Sequence, residues 1–126
     1  MDRITRVSIV GMGALGVLYG DFFARTLGLE QVTFLADRDR VERYRDTTVY
    51  CNGRGWKFAV CPGDEADPRG PAQLLIFAVK ATALEASVPM VRNQVGKDTV
   101  ILSVLNGIPS EAVIGNILGM EHMLYW

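Results

Sequence analysis

A glycine-rich segment near the amino end constrains the fold of this chain more than any other feature. Residues 7–16 read VSIVGMGALG, so a short apolar run leads into three glycines with the spacing G-x-G-x-x-G. Between a strand and a helix, the first glycine permits a tight turn, the second lets a pyrophosphate approach the backbone, and the third lets the helix pack closely. Three glycines alone could also form a purely structural turn, but the apolar strand before them and the helical periodicity after them favour a dinucleotide site. The predicted cofactor-binding residues of this segment are Gly11, Met12, Gly13, Ala14, Leu15 and Gly16.

The composition fits a single globular domain without a nucleic-acid or membrane partner. The chain has 126 residues, of which 49% are hydrophobic and 21% charged, as is usual for a globular domain with its own core. The net charge of −1 gives no broad attraction to nucleic acids or acidic membranes. No apolar run reaches the roughly 18 residues of a membrane span. Since no signal-peptide pattern follows Met1, we expect a cytoplasmic protein.

Strands and helices are predicted to alternate along the chain. Apolar runs predict strands at 4–10, 31–36, 74–79, 99–105 and 122–126, and helical periodicity predicts helices at 14–27, 41–45, 82–95 and 109–118. Pro89 is expected to bend or divide the third helix. Buried strands that alternate with helices predict an α/β fold of Rossmann type, with a doubly wound, mostly parallel sheet and helices on both faces.

Residues 48–60 interrupt this alternation with a predicted β-hairpin. Asn52-Gly53 is a strong two-residue turn signal, and a turn centred there pairs Cys51 with Arg54. Cys61 then lies too far along the second strand to form a disulfide with Cys51, so both thiols are expected to be free. No histidine or further cysteine lies nearby, so no metal site is predicted.

Polar side chains follow two of the predicted strands. Lys80 comes directly after the strand at 74–79, and Asn106 comes after the strand at 99–105. Because the carboxyl ends of parallel strands share one edge, both side chains are expected to face the same cleft as Gly11. Lys80 would direct its ammonium group toward a phosphate, a ribose or a substrate oxygen, unless it only marks the solvent edge. Asn106 would form hydrogen bonds at the nicotinamide end, unless it is only a turn former.

The charged residues after the second strand bear on the choice of cofactor. Asp37 lies about 20 residues beyond the last motif glycine, where an acid accepts hydrogen bonds from the adenine ribose of NAD. Arg38 and Arg40 could instead bind the 2′-phosphate of NADP. A solvated charge run, or a helix cap at Asp37, is the alternative. Two cations near one anion favour NADPH, and NAD stays possible.

Four motifs together resemble one known family. They are GMGALG at 11–16, the hairpin VYCNGR at 49–54, FAVK at 77–80 and LNGI at 105–108. In this combination and order the chain is similar to the amino-terminal half of the ketopantoate reductase (2-dehydropantoate 2-reductase) family. The resemblance implies NADPH-dependent reduction of 2-dehydropantoate, a small 2-oxo acid, to pantoate in pantothenate and coenzyme A synthesis. It also implies that the glycines bind pyrophosphate and that Lys80 and Asn106 lie at the nicotinamide and substrate side, with Lys80 as an auxiliary catalytic residue.

The chain departs from the family pattern in length and at Asp37. Family members carry a helical carboxyl-terminal domain with the main catalytic lysine and a substrate-binding acid. We therefore expect residues 1–126 to be a shortened NAD(P)-binding domain that is inactive alone and has an uncovered face through which it could form a homo-oligomer. Many relatives have an arginine near the position of Asp37, whereas here the arginine follows at Arg38. Two alternative functions stay open: an NAD(P)-sensing module without turnover, and another two-domain hydroxyacid dehydrogenase.

Overall fold

The computed structural model describes residues 4–104 and 110–124, which form seven strands and four α-helices. The strands are β1 (Val7–Val10), β2 (Val32–Ala36), β3 (Val49–Cys51), β4 (Arg54–Trp56), β5 (Ala59–Pro62), β6 (Leu74–Phe77) and β7 (Val100–Ser103). The α-helices are α1 (Ala14–Leu27), α2 (Arg38–Tyr44), α3 (Ala81–Met90) and α4 (Ser110–Leu118). Short 3-10 turns lie at Leu29–Gln31, Arg92–Gln94 and Met120–His122.

Five parallel strands form the main sheet in the order β5-β2-β1-β6-β7. From the central β1 the chain first moves outward through β2 and β5, and it then returns to the other side of β1 with β6 and β7. The strand order therefore reverses at β1 and β6. In open α/β sheets such a reversal leaves a crevice at the carboxyl ends of the strands, where ligands bind.

Alternate side chains of the strands enter two separate cores. Val7 and Ile9 belong to one core with Ala24 of α1. Val10 belongs to the other core with Val88 of α3 and, on α4, the fully buried Ile114. Helices thus cover both faces of the sheet, so the predicted doubly wound α/β fold is confirmed. Because side chains on a strand point alternately to opposite faces, a strand buried on both faces is apolar throughout, as Val7–Val10 nearly is.

The predicted hairpin is confirmed in β3 and β4 and is wrong beyond them. Cys51 pairs with Arg54, and the turn residues Asn52 and Gly53 have φ angles of 51° and 82°, as a type I′ turn requires. The cysteines at 51 and 61 are free. Residues 59–62 leave the hairpin and form β5, which pairs in parallel with β2. The reason is that β2 is buried throughout, and its backbone groups on the side away from β1 need a partner.

Other element ends differ from the prediction for local reasons. Helix α2 begins three residues earlier than predicted, because the carboxylate of Asp37 accepts a hydrogen bond from the Arg40 amide and caps the helix. Helix α3 ends at Met90, directly after Pro89, and continues only as a 3-10 turn. Of the strand predicted at 122–126, the described residues 122–124 form only a single parallel bridge, between Met123 and Ile101, and residues 125–126 lie outside the described part of the chain.

A buried carboxylate fastens the hairpin to α1. Asp21 is fully buried and accepts hydrogen bonds from Arg25 of the same helix, from Arg54 and from the indole of Trp56. The hydrogen bond from Arg54 contributes most, with that from Trp56 next, to holding the Asp21 pKa well below its usual range. Sequence reasoning did not identify this cluster, because its members lie 33 and 35 residues apart. None of the helices in the described part of the chain is long and apolar enough to span a membrane.

Candidate functional site

A cleft of about 360 Å³ lies at the carboxyl ends of β1, β2 and β6. It is the crevice that the reversal of strand order creates. Three segments contribute its polar and backbone groups: the glycine turn after β1, the end of β2 together with α2, and the turn from β6 into α3. Lining residues of these segments include Gly11, Met12, Gly13, Asp37, Arg40, Arg43, Tyr44, Ala78, Lys80 and Thr82.

The first motif glycine makes the turn out of β1. Gly11 has a φ angle of 106°, a conformation that residues with side chains rarely adopt. A Cβ atom at this position would lie 2.7 Å from the carbonyl oxygen of Ala78 and 3.0 Å from Cγ1 of Val79. Both the backbone conformation and the close approach of the segment after β6 therefore require glycine here.

The second and third motif glycines face opposite surroundings. A Cβ atom on Gly13 would meet no described atom within 4 Å, because this residue opens onto the cleft. A Cβ atom on the buried Gly16 would overlap the carbonyl oxygen of Gly11. Gly13 thus leaves room for a ligand, whereas Gly16 lets α1 pack against the turn. These are the two geometries that the spacing of the motif predicts.

The amino end of α1 faces this cleft with its backbone donors available. Gly13 is its N-cap residue, no side chain in the described part of the chain caps the end, and the first turn contains no acidic residue. Unpaired N–H groups and the helix dipole make such an end a binding site for phosphate. Met12 is half-buried and packs against the core beside α1, whereas Ala14 and Leu15 are exposed in the first turn and lie outside the set of cleft-lining residues.

Asp37 lines the cleft where β2 ends, and its carboxylate already has two partners. One carboxylate oxygen accepts a hydrogen bond from the Arg40 amide at 2.9 Å, and the other lies 3.6 Å from Nε of Arg40. The side chain is about half exposed, at 52%. Asp37 is therefore both a helix cap and a cleft residue, and its charge is partly compensated by the arginine one turn along α2.

Two cations and one aromatic ring of α2 line the same end of the cleft. Arg40 was identified from the sequence, whereas Arg43 and Tyr44 were not. Residues three and four apart share a helix face, so a helix capped by Asp37 brings positions 40 and 44 to the side of the cap residue. The predicted start of α2 at 41 hid this relation. A helix cap at Asp37 was predicted only as an alternative to its role at the ribose, and the structure shows that Asp37 is this cap.

Arg38, the other predicted phosphate ligand, has different partners. Its guanidinium lies 3.2 Å from the carboxylate of Asp64 and 3.1 Å from that of Glu65, both in the loop after β5. Arg38 is not among the residues that line the cleft. The structure therefore brings together Asp37, Arg40 and the glycine turn, and it directs Arg38 elsewhere.

Lys80 lines the same cleft as the glycine turn, as predicted. It is exposed and serves as the N-cap residue of α3, where its side chain makes no capping hydrogen bond. Lysine is a poor N-cap, and its positive charge lies near the positive end of the helix dipole. The position thus gains no helix stability from lysine.

Asn106, which was predicted to face the cleft, lies outside the described residues. The described residues on either side of that gap are close together, since the hydroxyl groups of the buried Ser103 and Ser110 are 2.8 Å apart. Within residues 4–104 and 110–124, no group of three or more His, Cys, Asp or Glu side chains is placed to hold a metal ion.

Solved oxidoreductase structures share this fold. The 2-dehydropantoate 2-reductase from Geobacter metallireducens GS-15 is 27% identical, with a TM-score of 0.71, over 94% of this chain and 39% of that chain. The putative 2-dehydropantoate 2-reductase from Enterococcus faecalis is 23% identical, with a TM-score of 0.69 and the same coverage of 94% and 39%. D-mandelate dehydrogenase, solved with NADH and anilino(oxo)acetate, is 24% identical, with a TM-score of 0.78 over 94% and 39%. The chain spans about two fifths of the length of these proteins.

A family model confirms the resemblance carried by the glycine segment, the hairpin and the strand ends. The model of the family described as ketopantoate reductase PanE/ApbA matches residues 7–126, which include every strand and helix of the fold. The chain therefore belongs to the ketopantoate reductase PanE/ApbA family.

Proposed function

We propose that this chain is the cofactor-binding part of an NADPH-dependent 2-dehydropantoate 2-reductase, which reduces 2-dehydropantoate to pantoate in pantothenate biosynthesis. One observation carries the proposal: the uncapped amino end of α1 opens at Gly13 onto a cleft that also contains Arg40, Arg43 and Lys80. Membership of the family supports it. The presence of NADH in a mandelate dehydrogenase with the same fold supports a nicotinamide dinucleotide in this cleft.

The residues present fit such a dinucleotide. Backbone N–H groups at the start of α1 would bind the pyrophosphate, and the absence of a side chain on Gly13 leaves space for it. Arg40, Arg43 and Tyr44 would surround the adenosine end beyond β2. Lys80 and the turn after β6 would border the nicotinamide end.

The chemistry needs a hydride donor and a group that stabilises negative charge. When bound, a reduced nicotinamide supplies a hydride for the C2 carbonyl carbon of a 2-oxo acid. Lys80 would hold its ammonium Nζ near the carbonyl oxygen or the carboxylate of the substrate and stabilise the charge that develops there. We assign Lys80 this auxiliary role and place the principal proton donor in a carboxyl-terminal helical domain of the family.

Cofactor choice follows from the charges at the end of β2. Asp37 repels a 2′-phosphate, but its carboxylate already receives the Arg40 amide and lies near the Arg40 guanidinium. Arg40 and Arg43 add two positive charges to the cleft lining against that one negative charge. Guanidinium groups form strong, often bidentate hydrogen bonds with phosphate, so we propose NADPH over NADH.

Removal of both cleft arginines should therefore weaken binding of NADPH selectively. We expect Arg40→Ala/Arg43→Ala to lower NADPH affinity by about 10- to 100-fold, as for loss of one or two charge-assisted contacts, and NADH affinity by less than about threefold. Fluorescence titration with both cofactors measures this. The matched control is Arg45→Ala/Arg92→Ala, which removes the same charge from exposed positions outside the cleft. An equal loss for the two cofactors would contradict the assignment of these arginines to the 2′-phosphate.

This chain alone should reduce 2-dehydropantoate far more slowly than a complete two-domain reductase does. The related structures are more than twice as long, and the proposed second domain would supply the proton donor and exclude water from the site. We expect purified chain to bind NADPH and yet to show no NADPH oxidation above background when 2-dehydropantoate is added, measured by absorbance at the nicotinamide band. Steady turnover would show that the described cleft already contains all catalytic groups.

A further inference from the structure

The loop after β5 carries two carboxylates that hold the guanidinium of Arg38. The Nη2 atom of Arg38 lies 3.2 Å from Oδ1 of Asp64, and its Nη1 atom lies 3.1 Å from Oε1 of Glu65. Each nitrogen of the guanidinium fork thus has its own carboxylate partner. Two negative charges face one positive charge, so the cluster as a whole is anionic.

This loop is attached directly to the end of β2. The amide of Gly63 donates a hydrogen bond of 2.9 Å to the carbonyl oxygen of Ala36, the residue immediately before Asp37. The loop that carries the two carboxylates is therefore hydrogen-bonded to the residue next to Asp37, the acidic residue that lines the cleft.

Side chains of the 3-10 turn after α3 fix the loop from its other side. Gln94 is only 2% exposed, and its amide nitrogen donates to the carbonyl oxygens of Gly63 and Glu65. Asn93 donates a hydrogen bond of 2.8 Å to the carbonyl oxygen of Asp64. The loop backbone is thus held at three consecutive residues, which fixes the positions from which the two carboxylate side chains extend. The usual entropic cost of an exposed ion pair is thereby reduced.

Arg38 would otherwise be well placed for a 2′-phosphate. It follows Asp37, which lines the cleft, and its long side chain starts at the first residue of α2. The ion pairs hold its guanidinium against the loop after β5, and Arg38 is not among the residues that line the cleft. The phosphate must then be bound by the cleft arginines alone.

We propose that Asp64 and Glu65 are specificity-determining residues that withhold Arg38 from the ribose-phosphate end of the cleft and so limit the preference for NADPH over NADH. This inference rests on the proposed function. Asp64 and Glu65 compete with a phosphate for Arg38, because their carboxylates accept hydrogen bonds from the two terminal nitrogens that would otherwise be free to donate to phosphate oxygens.

The test is a comparison of NADPH and NADH dissociation constants, measured by fluorescence titration, across four proteins beside the parent. Asp64→Asn/Glu65→Gln releases Arg38, Arg38→Ala removes it, and the triple variant combines the changes. Asp39→Asn/Glu42→Gln is the matched control, because it removes two negative charges from exposed positions of α2 that do not line the cleft. Thermal melting of each variant verifies that it is folded.

We expect Asp64→Asn/Glu65→Gln to increase NADPH affinity by about three- to tenfold, the range of a newly formed charge-assisted contact at an exposed site, with NADH affinity unchanged. The gain should vanish in the triple variant and be absent in the control. Arg38→Ala alone should leave both affinities within about twofold of the parent.

Any of five results would overturn the inference. A gain that survives in the triple variant, or an equal gain in the control, would mean that loss of negative charge acts without Arg38. A loss of NADPH affinity in Arg38→Ala alone would place Arg38 in the parent's phosphate site. If the parent binds neither cofactor, the proposed function is wrong and this inference with it. If the parent binds a cofactor but Asp64→Asn/Glu65→Gln leaves the ratio of NADPH to NADH affinity unchanged, only the inference is wrong.

Discussion

Gly13→Val should reduce NADPH and NADH affinity by at least about 100-fold while the protein stays folded. Gly13 has extended backbone angles, with φ −72° and ψ −177°, which valine adopts readily. No described atom lies within 4 Å of the place a Cβ would take, so the branched side chain would fill cleft space and not the core. That space is where the pyrophosphate must approach the helix N–H groups, and loss of those charge-assisted bonds to two phosphates is the reason for the large effect.

Measurement of the free energy of unfolding distinguishes a direct loss of cofactor affinity in Gly13→Val from a loss caused by unfolding. The free energy of unfolding should change by less than about 1 kcal/mol in Gly13→Val, because valine is only a somewhat poorer helix cap and it also restricts the unfolded chain. Gly16→Ala is the matched control: its Cβ would overlap the carbonyl oxygen of Gly11, and overpacking of this kind costs about 1–3 kcal/mol. Isothermal titration and thermal melting of the two variants give both quantities. Binding of NADPH by Gly13→Val with the parent's affinity would place the pyrophosphate elsewhere.

The sequence predicted well those features that depend on a few neighbouring residues. Helix α1 has the predicted bounds, Ala14–Leu27, because the glycine turn starts it and Gly28, with a φ angle of 107°, ends it. The hairpin turn at Asn52 and Gly53 is equally local. Lys80 reaches the cleft because the carboxyl ends of parallel strands meet at one edge, a consequence of the fold class alone.

Features that depend on distant partners could not be predicted in this way. From the local sequence, residues 59–62 are predicted to continue the hairpin. Their parallel pairing with β2 can be predicted only once it is known that this edge of β2 has no other partner. The charge run after β2 shows two candidate phosphate ligands, Arg38 and Arg40. Arg40 lines the cleft, whereas Arg38 pairs with Asp64 and Glu65, 26 and 27 residues further along the chain. Local sequence patterns contain no information about such pairings.

Asp21→Asn should lower the midpoint of thermal unfolding by about 10 °C or more at pH 7. Asp21 is fully buried, and its two carboxylate oxygens accept hydrogen bonds of 2.8–3.0 Å from Arg25, Arg54 and Trp56. The asparagine amide nitrogen cannot accept a hydrogen bond, and the neutral side chain leaves Arg54 without its counter-charge. The side chains of Arg25 and Arg54 are 46% and 42% exposed, so their charges stay in contact with water. The large cost is expected because hydrogen bonds to a buried charged acceptor are lost and a buried amide nitrogen then faces donor groups.

The effect should also depend on pH in a defined direction. Hydrogen bonds from Arg54 and then Trp56 hold the folded-state pKa of Asp21 well below its usual range, whereas in the unfolded chain the carboxyl titrates near pH 4. The folded state therefore binds fewer protons, so the stabilisation by Asp21 is fully present above about pH 4 and is lost as the pH falls below it. Asp21→Asn cannot titrate, and the difference in midpoint between parent and variant should narrow below pH 4.

Thermal melts of both proteins between pH 3 and pH 7 test this, with Asp39→Asn as the control for loss of an exposed carboxylate. Hydrogen exchange adds a local measure: amides of the hairpin at 49–56 should exchange faster in Asp21→Asn, because Arg54 and Trp56 are the contacts that tie it to α1. A constant difference in midpoint over the whole pH range would mean that packing of the side chain, and not its charge, fastens the hairpin. An unchanged midpoint at pH 7 would mean that the buried cluster adds nothing beyond the cost of its own desolvation.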